Sequence, residues 1–200
     1  MADGARTPFL KARGTRLQNT EQRYGAVAIV LHWLMAAILI ALLALGLYMV
    51  SLPDVGFDTR KITLILYHKQ IGLLALALAA LRLAWRVGNA LPSLAETLPT
   101  WQKVIARLVH LFFYALMLAL PISGWLMSSA AGIPVPLFGL FNLPDLVPYD
   151  EVLFEAFVAI HRWLGYALVG CIVLHAGAAL RHHFLFKDET LRKMWPQTRT

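Results

Sequence analysis

The chain has 200 residues, of which 59% are hydrophobic and 14% charged, and its mean hydropathy is +0.64. That is too apolar for a soluble domain of this size, so the bilayer is its solvent. The net charge of +7 lies in segments flanking apolar runs, which excludes a folded nucleic-acid-binding domain and points to membrane orientation.

Residues 1–23 carry Arg6, Lys11, Arg13, Arg16 and Arg23 among Thr, Gln and Gly, and read as a disordered basic cytoplasmic tail. The apolar run that follows is too long for the core of a cleaved signal peptide. A first helix is predicted over roughly Ala26 to Val50, closed by the turn residues of SLPDVGFD. A second covers about Ile62 to Trp85, with Arg82 and Arg86 at its far end. The polar linker LPSLAETLPTWQK leads to a third helix over about Val104 to Ser128, which Pro121 should kink. Residues 132–151, rich in proline, read as a loop covering one end of the bundle. The fourth helix begins near Phe154 and ends near Leu180, and residues 184–200 form a second basic tail. The expected fold is therefore an all-α membrane protein: a four-helix transmembrane bundle over residues 24–183 with both termini cytoplasmic.

The charge bias sets that orientation. Most of the 18 Lys and Arg residues lie in the two tails and around the second connection; the other connections hold only Arg60, Lys61, Lys69 and Arg162. Acidic residues Asp54, Asp58, Asp145, Asp150, Glu151 and Glu155 collect at the external end.

Ionisable groups inside membrane helices are costly and usually functional. His161 and His175 are fourteen residues apart on the fourth helix, which is about 21 Å of rise with only about 40° of rotation between them. His32 enters the bilayer at the depth where His175 leaves it, and His68 shares the external level of His161. Two imidazole pairs at two depths suit bis-histidine haem iron. Each of the four is followed one turn later by a small residue, Ala36, Gly72, Gly165 and Ala179, against which a flat macrocycle could lie. One embedded histidine could simply bond a carbonyl, but four that pair in depth argue for ligation. Zinc or copper fits less well, because no carboxylate or thiolate shares those depths. The single Cys171 allows no intrachain disulfide, and no CxxCH motif is present, so a haem would be held non-covalently.

The stretches RYGAVAIVLHWLMA, YHKQIGLLALALAALRLAWR, HLFFYALMLALPISGWLM and HRWLGYALVGCIVLHAGAALRHHFLFKDETLRKM resemble the bacterial cytochrome b561 family, which includes superoxide:ubiquinone oxidoreductases. The resemblance implies two b-type haems, electron exchange with membrane ubiquinone and an inner-membrane location. Its ligand pattern falls on His32, His68, His161 and His175.

Lys69 and Arg162 follow directly on two of these histidines and are candidates for neutralising haem propionates or steering an anion such as superoxide. At the cytoplasmic end His182, His183, His110 and Arg82 are candidates for quinone or propionate contacts. The expected activity is an oxidoreductase passing electrons between an external one-electron donor, superoxide being one, and ubiquinone. The alternative is a non-catalytic cytochrome subunit that docks a redox partner protein, a periplasmic dehydrogenase or hydrogenase, and relays its electrons. A histidine-lined metal transporter is a third reading.

Overall fold

A computed structural model describes residues 17–53, 58–93 and 98–195 of the chain. Four long helices dominate it: α1 (Ala26–Ser51), α2 (Thr59–Val87), α3 (Thr100–Ala130) and α4 (Glu151–Arg181). All four are long and apolar enough to cross a membrane. Three run past the expected boundaries; α2 and α3 open on polar residues that lie outside the hydrophobic window, and α4 opens on Glu151. Asp58 caps α2 by accepting from the Arg60 N–H at 2.8 Å, and Asp150 caps α4 by accepting from Leu153 N–H at 2.9 Å. Pro99 opens α3, which runs through Pro121 without interruption.

The helices pack in sequence, α1 on α2, α2 on α3 and α3 on α4, whereas the α1 and α4 backbones barely approach each other. Inside, the core is a middle layer. Leu116, Leu168 and Cys171 are buried and pack with Leu39, Leu43, Phe113 and Leu164. Met35, Ala79 and Met117 form a second cluster beside them. Leu168, only 1% exposed, stands midway between His161 and His175, so the space between the two histidine levels is filled with hydrocarbon. Around this layer Leu111, Trp163 and Leu174 are about two-thirds exposed, as expected of side chains that face lipid.

The segment between α3 and α4 is more ordered than its proline content suggests. Val135–Leu137 pairs antiparallel with Phe141–Leu143 as a short hairpin, β1 and β2, and β1 lies against α2 and α3. Its turn puts both Phe138 (φ 49°) and Gly139 (φ 76°) in the left-handed region, the geometry that matches strand twist. Leu146 N–H donates to Ser129 Oγ at 3.1 Å and Trp125 Nε1 to the Pro144 carbonyl at 3.0 Å. The hairpin is thereby fixed over one end of the bundle.

The opposite end carries both tails. Parts of the two expected tails, residues 1–16 and 196–200, lie outside the described residues, as does Asp54. Residues 17–25 are hydrogen-bonded: Asn19 Oδ1 accepts from Gly25 N–H at 2.9 Å, and Asn19 Nδ2 donates to Ala90 O at 3.0 Å. A Cβ at Gly25 would collide with the carbonyl oxygens of Leu17 and Gln18, so the turn into α1 requires glycine. Beyond α4 the chain makes a π-helical turn (His182–Phe186) and reverses at Lys187, whose φ is 53°. It then returns to α1, where Trp33 Nε1 donates to Met194 O at 2.7 Å. Lys193 Nζ reaches Ser93 O at 2.9 Å, and Ser93 N–H reaches Glu21 O at 2.9 Å. Three segments far apart in sequence are thus tied together.

Candidate functional site: two imidazole pairs

The four histidines meet in two pairs. His32 of α1 and His175 of α4 have ring centroids 6.2 Å apart at an interplanar angle of 65°. His68 of α2 and His161 of α4 are also 6.2 Å apart, at 76°. A metal bridging two imidazole nitrogens, with bonds of about 2 Å, sets the ring centroids about 6 Å apart. Rings in direct edge contact lie closer: His110 stands 5.5 Å from His175, and Phe113 5.2 Å. The two pairs thus share one spacing, compatible with a metal between the rings, and His110 sits closer to His175 than that. Each level offers two ligands, so any further donors must arrive with the metal, as the four in-plane nitrogens of a porphyrin do.

The surroundings fit a flat group. A Cβ built at Gly72 or Gly165 meets nothing within 4 Å, so open space lies one helical turn along from His68 and His161. Gly46 and Gly124 act differently, since their missing side chains make room for the rings themselves. A Cβ at Gly46 would lie 3.4 Å from His68 Cε1, and one at Gly124 3.3 Å from His161 Cε1.

The outer nitrogens decide which tautomer each histidine holds. His161 Nδ1 lies 3.1 Å from Leu120 O and 2.9 Å from Ser123 Oγ. A carbonyl can only accept, so Nδ1 carries the proton and Nε2 keeps its lone pair for a metal. His110 Nδ1 is likewise bound to Ala106 O at 2.7 Å. His32 differs, because Arg82 Nη2 lies 3.2 Å from its Nδ1 and a guanidinium can only donate. Ligation through His32 Nε2 requires the other tautomer, with Arg82 turned to an anionic acceptor. Two donors there await such an acceptor: Arg82 Nη1 and Trp85 Nε1 are both buried without a hydrogen bond among the described residues, and such donors are costly unless satisfied. A carboxylate-bearing ligand would satisfy them. Tyr24, just outside α1, faces the same cluster; burial pushes its hydroxyl pKa up, with the Arg86 and Arg82 charges pulling the other way.

The remaining candidates divide. Lys69 is half-buried and Arg162 exposed; each follows its histidine by one residue, about 100° around the helix. Arg82 and His110 join the His32–His175 level. His182 and His183 do not join it: His183 packs edge-on against Phe184, and His182 Nδ1 pairs with Asp188 Oδ2 at 2.6 Å. Sequence reasoning misses Ser123, Gly124, Gly46, Trp85 and Asp188. The dipeptide Ser123-Gly124 just after Pro121 is a usable signal, since it places a hydroxyl and a gap on one helix turn.

Asp188 lies outside the membrane helices. Burial pushes its carboxyl up, but hydrogen bonds from Thr190 and His182 outweigh that and hold its pKa below the usual 3.8. A depressed folded pKa stabilises the turn above the unfolded value and loses that contribution as pH falls through the folded one. The turn at 182–190 should therefore protect its backbone amides from hydrogen exchange at neutral pH and lose that protection, relative to the intrinsic exchange rate, below about pH 4. Asp188→Asn should lose it already at neutral pH; equal protection in variant and parent would contradict this.

A four-helix bundle long and apolar enough to cross a membrane, with two imidazole pairs inside it, is suited to electron transfer through a non-covalently held cofactor. The family model described as prokaryotic cytochrome b561 matches residues 23–197. Cytochrome b561 homolog 2 of Escherichia coli (strain K12) is 36% identical over 176 residues, covering 88% of this chain and 93% of that protein. Cytochrome b561 homolog 1 of the same organism is 31% identical over 183 residues, covering 88% and 98%. A protein named probable superoxide oxidase CybB, from Yersinia pestis, is 28% identical over 180 residues, covering 89% and 98%. The chain belongs to the prokaryotic cytochrome b561 family. It is accordingly a bacterial membrane protein of haem-b-based electron transfer.

Proposed function

We propose that the protein carries two haem b groups, one between His32 and His175 and one between His68 and His161, and passes electrons from an external one-electron donor to membrane ubiquinone. The observation that carries this reading is the shared 6.2 Å ring spacing of the two pairs. When bound, each haem supplies a one-electron iron couple. The chain's own residues do the rest. The four histidines hold the two irons at separate depths, and the hydrocarbon layer around Leu168 excludes water between them. Arg82 and Trp85 offer donors to propionate carboxylates.

With both termini cytoplasmic by the charge bias, the His68–His161 level lies toward the external face of the inner membrane. Lys69 and Arg162, beside that pair, neutralise propionates or draw in an anion. Superoxide is the donor this favours, in keeping with the name of the Yersinia relative. At the cytoplasmic end His182, His183 and His110 are the groups able to hydrogen-bond a quinone carbonyl. There the proton on a histidine can follow the electrons.

The test is consumption of superoxide by the purified protein with a soluble ubiquinone. The parent should consume it much faster than His161→Ala or His68→Ala. Equal rates would remove superoxide as the donor. Co-purification of a periplasmic dehydrogenase or hydrogenase, with an inert isolated chain, would instead favour the relay-subunit reading.

A further inference from the structure

The two imidazoles of the His68–His161 pair are supported unequally. His161 Nδ1 faces two acceptors on α3: Ser123 Oγ at 2.9 Å and Leu120 O at 3.1 Å. The Ser123 hydroxyl itself donates to Leu120 O at 2.7 Å. Its one proton is thereby committed, and its lone pairs are left to accept from His161 N–H. Ser123 is 5% exposed, so no lipid or solvent competes for these bonds. His68 Nδ1, across the pair, is buried and has no hydrogen-bond partner among the described residues.

The local sequence explains how α3 can do this. Pro121 lacks the N–H that would bond to the carbonyl of Met117. Leu120 O, in the peptide just before it, takes two side-chain donors. Gly124, one turn beyond, leaves the gap that the His161 ring occupies.

We propose that Ser123 is a positioning residue for His161 that makes the two axial ligands of this pair electronically unequal. A hydrogen bond accepted from the outer N–H of a ligating imidazole raises its basicity, and a more basic ligand favours oxidised iron. Ser123 therefore lowers the reduction potential at this level relative to what two unsupported imidazoles would give. A lower potential makes this haem, once reduced, a stronger electron donor than it would be without Ser123. The proposal rests on the haem reading given above and adds a residue and a role to it.

The experiment is a spectroelectrochemical titration of the purified holoprotein with variants at position 123. Ser123→Ala leaves Leu120 O as the sole acceptor. It should shift the reduction equilibrium of the haem at this level toward the reduced form by up to about tenfold, which is 59 mV for one electron. The second haem should keep its midpoint. Ser123→Thr, which retains the hydroxyl, should restore the parent value. Gly124→Ala, whose Cβ would press on the His161 ring, should alter the low-spin ferric EPR signal of this haem by turning the ring from its 76° crossing. A serine that only packs would change haem occupancy or melting temperature but not the midpoint of the haem that remains. Identical midpoints in parent and Ser123→Ala, or an equal shift in Ser123→Thr, would overturn the proposal. A parent protein that purifies without a Soret band would overturn the haem reading beneath it instead.

Discussion

Replacing His175 with alanine is expected to remove the haem at the end that carries the termini and to leave the other in place, so that haem content falls from two per chain to one. On the proposed two-haem reading His32→Ala should do the same, because one iron would depend on both imidazoles of the pair, whose ring centroids are 6.2 Å apart; His110 lies closer to His175, at 5.5 Å, on another helix. His68→Ala and His161→Ala should remove the other haem. The double variant His32→Ala, His175→Ala should lose no more than either single one, since the two residues act as a unit. Haem quantitation by the pyridine haemochrome method, with reduced-minus-oxidised spectra, reads all of these. Two haems retained by any of the single variants, or one haem in the parent, would break the pairing.

Arg82→Gln is expected to weaken haem binding at the His32 level selectively. The guanidinium is buried in the bundle with Nη1 unpartnered, and its other contact, to His32 Nδ1 at 3.2 Å, cannot persist once that nitrogen carries the proton. A carboxylate acceptor resolves both conditions. Hydrogen bonds to charged groups contribute about 1.5–3 kcal/mol, so losing one should lower haem affinity at this level roughly ten- to a hundredfold. Arg82→Lys should recover only part of it, because an ammonium has no planar fork to match a carboxylate. Competition against apomyoglobin would measure the loss, with the His68 level as the internal reference. If both levels lost haem at the same rate, Arg82 would be a general structural residue.

Much of this site is legible in the amino-acid sequence. Hydropathy locates the four helices, and the fourteen-residue spacing of His161 and His175, with the topology, is enough to match His32 and His68 to them. Depth follows from counting along a helix, and counting needs no tertiary information. The helix ends are less legible, because Asp58 caps α2 ahead of a polar first turn and Asp150 caps α4 ahead of Glu151, and hydropathy does not register a cap. The hairpin reads as loop because its prolines occupy an edge, where they cost no ladder bonds. The outer-nitrogen partners are the least legible. Ser123 reaches His161 only because α3 and α4 pack closely, and Asp188 returns to His182 only through a π turn and a left-handed Lys187. Neither closeness nor reversal is written in a local period.

The ties among the tails at one end of the bundle have a consequence for how the protein is made. Trp33 belongs to the first of the four helices to leave the ribosome, yet its indole is satisfied by Met194, which emerges after the fourth. Lys193 closes on the linker around Ser93 with the same delay. Until the segment beyond α4 has been synthesised, α1 and α2 stand in the membrane with this seam unsealed. Until α4 itself has entered, the imidazoles of His32 and His68 have no counterparts. Sealing and pairing thus become possible within moments of each other, late in translation. A chain cut short within α4 would betray itself by a loose seam and an imidazole without its counterpart, whereas one that runs through Met194 closes its seam and pairs its histidines together.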